Sequence, residues 1–135
     1  MNRHHVLLIA LLSLAASADQ HADTQTNACH MSYPNIDGEL LLENDHVVVQ
    51  RFTIQPGQWE GIHRHPPNQL YIQLTDGEWR YKSAGESDDF AMSAGEVSWN
   101  ETSTELVAQH ESGNIGTSAI GYIWVGIKPG CLQQP

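Results

Sequence analysis

Basic residues are scarce in this sequence. Its 135 residues include 6 lysines and arginines against 16 aspartates and glutamates, which gives a formal net charge of −10 at pH 7. Nucleic acids and anionic membrane surfaces are bound through clustered basic side chains, so we expect neither as a partner. The negative balance is typical of a protein that stays soluble through its surface charge.

Long apolar runs are also missing. The longest, VLLIALLSLAA at residues 6–16, is far shorter than the roughly 20 residues that a membrane-spanning helix needs. It follows Arg3 and is followed by small residues up to Ala18, which is the pattern of a secretory signal peptide. We therefore predict that residues 1–18 are removed near Ala18 and Asp19, that no membrane anchor remains, and that the protein is exported to the periplasm or secreted. The mature chain of 135 − 18 = 117 residues, with a charge of 5 − 16 = −11, suffices for one domain.

The sequence has only two cysteines, Cys29 and Cys131, which lie near opposite ends of the mature chain. The absence of a Cys-x-x-Cys pair argues against a zinc site built from thiolates. Export delivers both cysteines to an oxidising compartment, so we predict a disulfide bond between them. Closing a loop of about 100 residues stabilises a fold by about 4.7 kcal/mol in the chain-entropy model.

No sustained helical period is present, whereas short runs rich in β-branched and aromatic residues are frequent. Turn-forming residues, including Pro56-Gly57, Asp76-Gly77 and Ser112-Gly113-Asn114, separate them. The pattern predicts an all-β sandwich or barrel in one domain over residues 39–135, preceded by a polar leader and lead-in strand at 19–38. The predicted strands cover residues 39–43, 46–54, 59–63, 69–74, 78–81, 90–92, 96–99, 105–109 and 120–127.

The tripeptide His63-Arg64-His65 is the first candidate for chemistry. On a strand, side chains two residues apart share a face, so the two imidazoles point the same way. Neutral imidazole is a ligand for zinc, iron, nickel, copper and manganese. An isolated His-x-His also occurs as surface or turn histidines, but His110, 110 − 65 = 45 residues on, supplies a third imidazole. This context favours a metal site.

The run after the histidines alternates in an unusual way. Side chains on one face are polar and are expected to line a ligand cavity. Side chains on the other face are apolar and point outward, which suggests that they are buried in a homodimer interface. The polar set is Gln69, Tyr71 and Gln73, and the apolar set is Leu70, Ile72 and Leu74.

The segment PGQWEGIHRHPPNQLYIQLTDG resembles the first motif of the cupin superfamily, which reads Gly, five residues, His-x-His, three or four residues, Glu, six residues, Gly. Here Gly57 is followed by five residues, His63, Arg64 and His65, but Gln69 stands at the carboxylate position. Seven residues instead of six separate Gln69 from Gly77, so we expect one extra residue in that hairpin.

The second cupin motif is matched less closely. Gly95 can open it and His110-Glu-Ser-Gly-Asn114 matches its His-x-x-x-Asn end, but the Pro-x-Gly is absent and 14 residues instead of ten precede His110. Another alignment puts Ser98 at the histidine position. We favour His110, because Gly116 and a final strand follow it as in the family. The resemblance implies a double-stranded β-helix, or jelly roll, that holds one divalent ion (Fe, Mn, Zn or Ni) by His63, His65, His110 and Gln69.

A neutral Gln69 leaves the charge of the ion uncompensated, which favours Lewis-acid chemistry on an anionic or polyhydroxylated small molecule. The sequence therefore predicts a metalloenzyme of lyase, isomerase or cyclase type, with dioxygenase chemistry left open because three imidazoles support it in some cupins. Tyr71 is the candidate acid or base, and Trp59 and Gln73 are candidate substrate contacts. The alternatives are a non-catalytic module that binds a sugar or another small molecule, a metal-free interaction protein, and a Gln69 that lines the cavity without ligating.

Overall fold

The computed structural model describes residues 29–101 and 110–128. The predicted signal peptide, the leader from Asp19 to Ala28, the predicted strand at 105–109 and Cys131 lie outside the described residues. Export, signal cleavage and the disulfide bond therefore stay predictions. Cys29 itself is buried, with 1% of its surface exposed.

The described residues form eight strands in two antiparallel sheets, which confirms the predicted all-β fold. One sheet has the order β1-β2-β8-β3-β6 and the other has the order β5-β4-β7. The strands are β1 (Glu39–Glu43), β2 (Val47–Ile54), β3 (Gln69–Gln73), β4 (Gly77–Ser83), β5 (Glu86–Met92), β6 (Val97–Asn100), β7 (His110–Asn114) and β8 (Ile120–Ile127).

The core lies between the two sheets, where alternate residues of the long strands are buried. On β8 every second side chain from Ile120 onward is buried, and on β2 Phe52 and Ile54 are at most 1% exposed. Phe52 stacks on Tyr122 with ring centroids 5.6 Å apart. Each large apolar side chain removed from water in this way contributes about 1.5–3 kcal/mol, so these strands fix the barrel that positions the site.

One strand prediction and one turn prediction were wrong. The run 59–63 is not a regular strand, because only isolated bridges at Trp59 and His63 connect it to β7. Residues 112–114, predicted as a turn, belong to β7, where they pair with β4. Pairing with a neighbouring strand satisfies the backbone of Ser112-Gly113-Asn114 better than the local turn that their composition suggests.

The strand prediction at 90–92 was too short. β5 begins at Glu86 and pairs with β4 along its whole length. A tight hairpin at Ala84 and Gly85, both at positive φ, joins the two strands. The residues at the start of β5 are exposed and largely acidic, so they carry none of the apolar alternation by which a strand is predicted.

The predicted lead-in strand is not found in residues 29–38. Instead, a buried side chain of β2 holds this segment: Gln50 Oε1 accepts a hydrogen bond from Met31 N at 2.7 Å, and Gln50 Nε2 donates one to Met31 O at 3.1 Å. A little further on, Asn35 N donates to Glu60 O at 3.1 Å. One amide side chain thus takes the place of a pair of strand hydrogen bonds and fixes this segment to β2.

The predicted alternation of β3 is confirmed, because Gln69, Tyr71 and Gln73 are buried and the intervening Leu70 and Ile72 are half-buried on the outer side. Homodimerisation through that outer side stays a prediction. Residues 74–76 connect β3 to β4, which belong to different sheets. The extra residue predicted between Gln69 and Gly77 therefore does not lie in a hairpin.

In the part of the chain that the structure describes, no helix has the length and apolarity needed to span a membrane.

Candidate metal centre

Three of the four predicted ligands come together at one end of the barrel. His110 opens β7, and its carbonyl accepts a hydrogen bond from His63 N at 3.1 Å, so the two backbones lie side by side. His65 follows in the irregular segment before β3, where its ring stacks on that of His110 and contacts Trp124. The structure thus connects histidines that are 45 residues apart in the sequence.

The three imidazoles converge through the same nitrogen. His63 Nε2 is 3.2 Å from His65 Nε2, which is 3.0 Å from His110 Nε2. Ligand atoms about 2.1 Å from one ion lie about 3.0 Å apart at right angles and about 3.4 Å apart in a tetrahedron. The observed spacing therefore fits three ligands on one face of an ion, and leaves the other positions for water or substrate.

The protonation of His63 supports this interpretation. Its Nδ1 lies 2.8 Å from Gly61 O, which can only accept, so Nδ1 carries the proton and Nε2 presents a lone pair to the other two rings. Burial lowers the pKa of His63 to about 4 and that of His65 to about 3, and it also lowers the pKa of His110. All three rings are therefore neutral near pH 7, which is the form that binds metal.

Gln69, the fourth predicted ligand, is completely buried at the start of β3. Neither its amide oxygen nor its amide nitrogen has a hydrogen-bond partner of good geometry within the described residues. An unpaired buried amide is costly, about 1–3 kcal/mol. The amide does lie close to His65, where it raises the pKa of that histidine and so partly offsets the lowering caused by burial. A cation beside the imidazoles would give its oxygen a partner, so the residues present fit a metal ion.

Glu60 was not among the predicted site residues, because strict strand alternation puts a residue three positions before His63 on the opposite face. Glu60 is 4% exposed, and its Oε2 lies 4.0 Å from His63 Nε2. Tyr122 Oη donates to the other oxygen, Oε1, at 2.6 Å. Burial raises the pKa of Glu60 to about 7. Because His63 is neutral, the contact is not an ion pair. The residue in the sequence that could have indicated this position is Gly61, because its φ of 82° interrupts the alternation of a strand.

A cavity of about 340 Å³ opens beside the histidines. Its wall combines rings with a few polar groups, and no lysine or arginine is among the described residues that line it. Trp79 contributes an indole N–H that has no hydrogen-bond partner in the described part of the chain. The aromatic lining residues are Tyr33, Tyr71, Trp79, Tyr81, Phe90, Trp99 and Trp124, and the polar ones apart from His65 and His110 are Glu60, Ser98, Asn100 and Ser112.

The remaining predicted site residues have different positions. Tyr71 lines the cavity, but its hydroxyl donates a hydrogen bond to Gln73, and burial raises its pKa far above 10. Burial therefore favours the protonated hydroxyl, and the role of Tyr71 as an acid or base stays a prediction. Gln73 and Trp59 do not line the cavity. The Gln73 amide is engaged by Tyr71 and by Thr75 O, while Trp59 lies under Lys82 Nζ at 3.7 Å from the ring centroid.

Ser98, the other candidate for the second-motif histidine, pairs with Tyr71 on β6 and lines the same cavity. The backbone of His110, and not that of Ser98, pairs with His63. His110 therefore occupies the position of the third ligand. Within the described residues, the group of potential metal ligands that lie within 4.8 Å of one another consists of His63, His65 and His110.

No protein-family model and no curated protein matches this sequence. Solved structures do match. A cupin domain from Bordetella pertussis Tohama I has a TM-score of 0.60 at 19% identity, over 73% of this chain and 99% of that one. An uncharacterised protein with a double-stranded β-helix domain from Klebsiella pneumoniae has a TM-score of 0.54 at 22% identity, over 88% of this chain and 92% of that one.

A Cupin 2 conserved barrel domain protein from Salinispora arenicola has a TM-score of 0.53 at 16% identity, over 91% of this chain and 94% of that one. Identities this low show the fold alone. The fold is thus the double-stranded β-helix of the cupins, as the two sequence motifs predicted, and the chemistry has to be argued from the site itself.

Proposed function

We propose that this protein is an exported metalloenzyme of the cupin fold, which binds one divalent ion through His63, His65 and His110 and acts on a small molecule. The observation that carries the proposal is the convergence of three Nε2 atoms, from two buried histidines and one half-buried histidine, within about 3 Å of their neighbours. In the tautomer that binds metal, each Nε2 carries a lone pair. Lone pairs this close repel one another, and a cation between them removes the repulsion. Fe, Mn, Zn and Ni all accept such a ligand set.

When bound, the ion supplies Lewis-acid or redox chemistry at the positions that the imidazoles leave open. The chain itself has other tasks. His63 is held in the ligating tautomer by Gly61 O, and the ring of His65 is fixed between His110 and Trp124. Glu60 lines the cavity with a pKa near 7, so it can accept or donate a proton at its Oε2.

The wall of the cavity narrows the substrate class. Sequence reasoning left anionic and polyhydroxylated substrates open. An anion would find no basic side chain in the described wall, whereas the aromatic faces suit the apolar face of a ring. Hydroxyl groups on such a ring would find partners in Glu60, Asn100 and the unpaired indole N–H of Trp79. We therefore favour a hydroxylated ring compound over a simple anion.

Titration with neutral cyclic polyols and with small dicarboxylates, followed by tryptophan fluorescence, compares the two classes directly. We expect saturable changes with the cyclic polyols, and a larger dissociation constant in a Trp79→Phe variant, which keeps an aromatic ring but loses the indole N–H. Saturation by the dicarboxylates alone would contradict this substrate class.

The metal site is tested by elemental analysis of protein purified without chelators or a His tag. We expect near-stoichiometric metal in the wild type and loss of it in His63→Ala and His110→Ala, while the exposed His46→Ala serves as a matched control that keeps it. Iron or manganese would direct assays to oxygen consumption, and zinc or nickel to lyase and isomerase reactions. Full occupancy in the two alanine variants would show that the ligand assignment is wrong.

The second candidate is a non-catalytic module that binds the same ring compounds. It is favoured by the size of the aromatic wall relative to the single carboxylate that lines it. If wild-type protein holds no metal and takes none up, but still binds a cyclic polyol, this candidate replaces the enzyme.

A further inference from the structure

We propose that Glu60 supplies the negative charge of the metal centre in place of Gln69. This inference rests on the proposed metal site and concerns how that site balances its charge. The three imidazoles are neutral and Gln69 is a neutral amide, so the four residues that correspond to the cupin ligands leave the charge of a divalent ion uncompensated. A buried ion in that situation is unfavourable unless an anionic group lies near it.

Glu60 is the carboxylate that the fold places at this point. It is the only acidic residue among the described residues that line the cavity. Its Oε2 lies 4.0 Å from His63 Nε2, which is one of the three converging nitrogens. Its side chain is 5% exposed, so little water screens the interaction between its charge and an ion at the histidines.

The side chain of Glu60 is held by several neighbours. Tyr122 Oη donates to Oε1 at 2.6 Å, Tyr33 and Ser112 also contact the carboxylate, and Oε2 lies 4.0 Å from His63 Nε2. The backbone is fixed as well, because Glu60 N donates to Ser112 O at 2.9 Å and Glu60 O accepts from Asn35 N at 3.1 Å. An arrangement fixed at this many points is preorganised for a function beyond filling space.

Glu60 lies outside the compact group formed by the three histidines, whose ligating atoms are all within 4.8 Å of one another. It therefore acts as a neighbouring anion that stabilises the ion and the groups bound to it, and not as a member of the three-histidine face. Carboxylates in such positions commonly change metal affinity by roughly 10- to 100-fold.

The test moves the carboxylate from position 60 to position 69. The affinity for Zn²⁺ is measured by competition with a chromophoric chelator for the wild type, Glu60→Gln, Gln69→Glu and the double variant. We expect Glu60→Gln to bind Zn²⁺ roughly tenfold more weakly or worse, and the double variant, with its carboxylate at position 69, to recover most of the loss. Glu78→Gln, which removes an exposed carboxylate of β4, is the matched control and should bind as the wild type does.

Tyr122→Phe separates charge from structure, because it removes the hydrogen bond to Glu60 and keeps the carboxylate. A purely structural role for Glu60 would lower the melting temperature of Glu60→Gln and Tyr122→Phe alike, without a selective loss of Zn²⁺ affinity in Glu60→Gln. Wild-type affinity in Glu60→Gln, or a double variant as weak as Glu60→Gln, would overturn the inference and leave the metal site standing. A wild type that binds no Zn²⁺, Mn²⁺ or Fe²⁺ would overturn the metal site and the inference together.

Discussion

Metal-free protein should lose stability as the pH falls from about 6.5 to about 5, because buried histidines must then take up protons on unfolding. Burial lowers the pKa of His63 from 6.5 to about 4 and that of His65 from 6.5 to about 3. A histidine with a lowered pKa contributes stability that is present above its unfolded pKa and is lost as the pH falls towards its folded pKa. Over this window each of the two costs about 1–2 kcal/mol, or about 3 kcal/mol together.

Glu60 acts in the opposite direction. Burial raises its pKa from 4.5 to about 7, so its contribution to stability is present below pH 4.5 and is lost as the pH rises towards 7. When the pH falls from about 6.5 to about 5, Glu60 returns about 1–2 kcal/mol. The wild type should therefore lose about half as much stability as Glu60→Gln, which should lose about 3 kcal/mol. The lowered pKa of His110 adds to the loss in both proteins.

Urea unfolding in the presence of a chelator, followed by tryptophan fluorescence at the two pH values, measures these losses. Ordinary carboxylates titrate mainly below this window, and Glu78→Gln serves as the control for the removal of one exposed carboxylate. Equal losses in the wild type and in Glu60→Gln would refute the assignment of a raised pKa to Glu60. No loss in either protein would refute the burial of neutral imidazoles.

Three further predictions concern the scaffold. Gly113→Ala should destabilise the protein by about 1–3 kcal/mol in urea unfolding, because the added Cβ would lie 2.5 Å from the Trp59 ring; an unchanged midpoint would contradict this packing. Gln50→Ala should cost about 2–3 kcal/mol by the same assay, since it leaves the buried backbone N–H and C=O of Met31 unpaired, and a cost below 0.5 kcal/mol would argue against the clamp. Thiol labelling of the denatured, unreduced protein should find no free thiol if the predicted disulfide forms, whereas Cys29→Ser should expose one.

Several features of the site follow from local sequence. The spacing of His63 and His65, the polar face of β3 and the all-β pattern are all carried by side-chain alternation, which depends only on neighbouring residues. His110 was a candidate third imidazole, and the resemblance to the cupin motifs gave the reason to connect it with the other two histidines. These are the parts that one sequence was able to predict.

Other features depend on contacts between distant segments. Glu60 reaches the cavity because Gly61 has a φ of 82° and the segment bonds to β7 instead of continuing as a strand. Strict alternation would put Glu60 on the face opposite His63, because it assumes a regular strand.

The sequence by itself determined which kinds of ligand are available and which strand faces are polar, since both are properties of adjacent residues. Only the tertiary structure decided that a carboxylate three residues before His63 lies beside the histidines while Gln69 has no partner among the described residues. The physical reason is that the charge balance of a buried site depends on which groups are close in space. Closeness between Glu60, β7 and the histidines is set by pairing across the barrel, over separations of about 50 residues that no local pattern records.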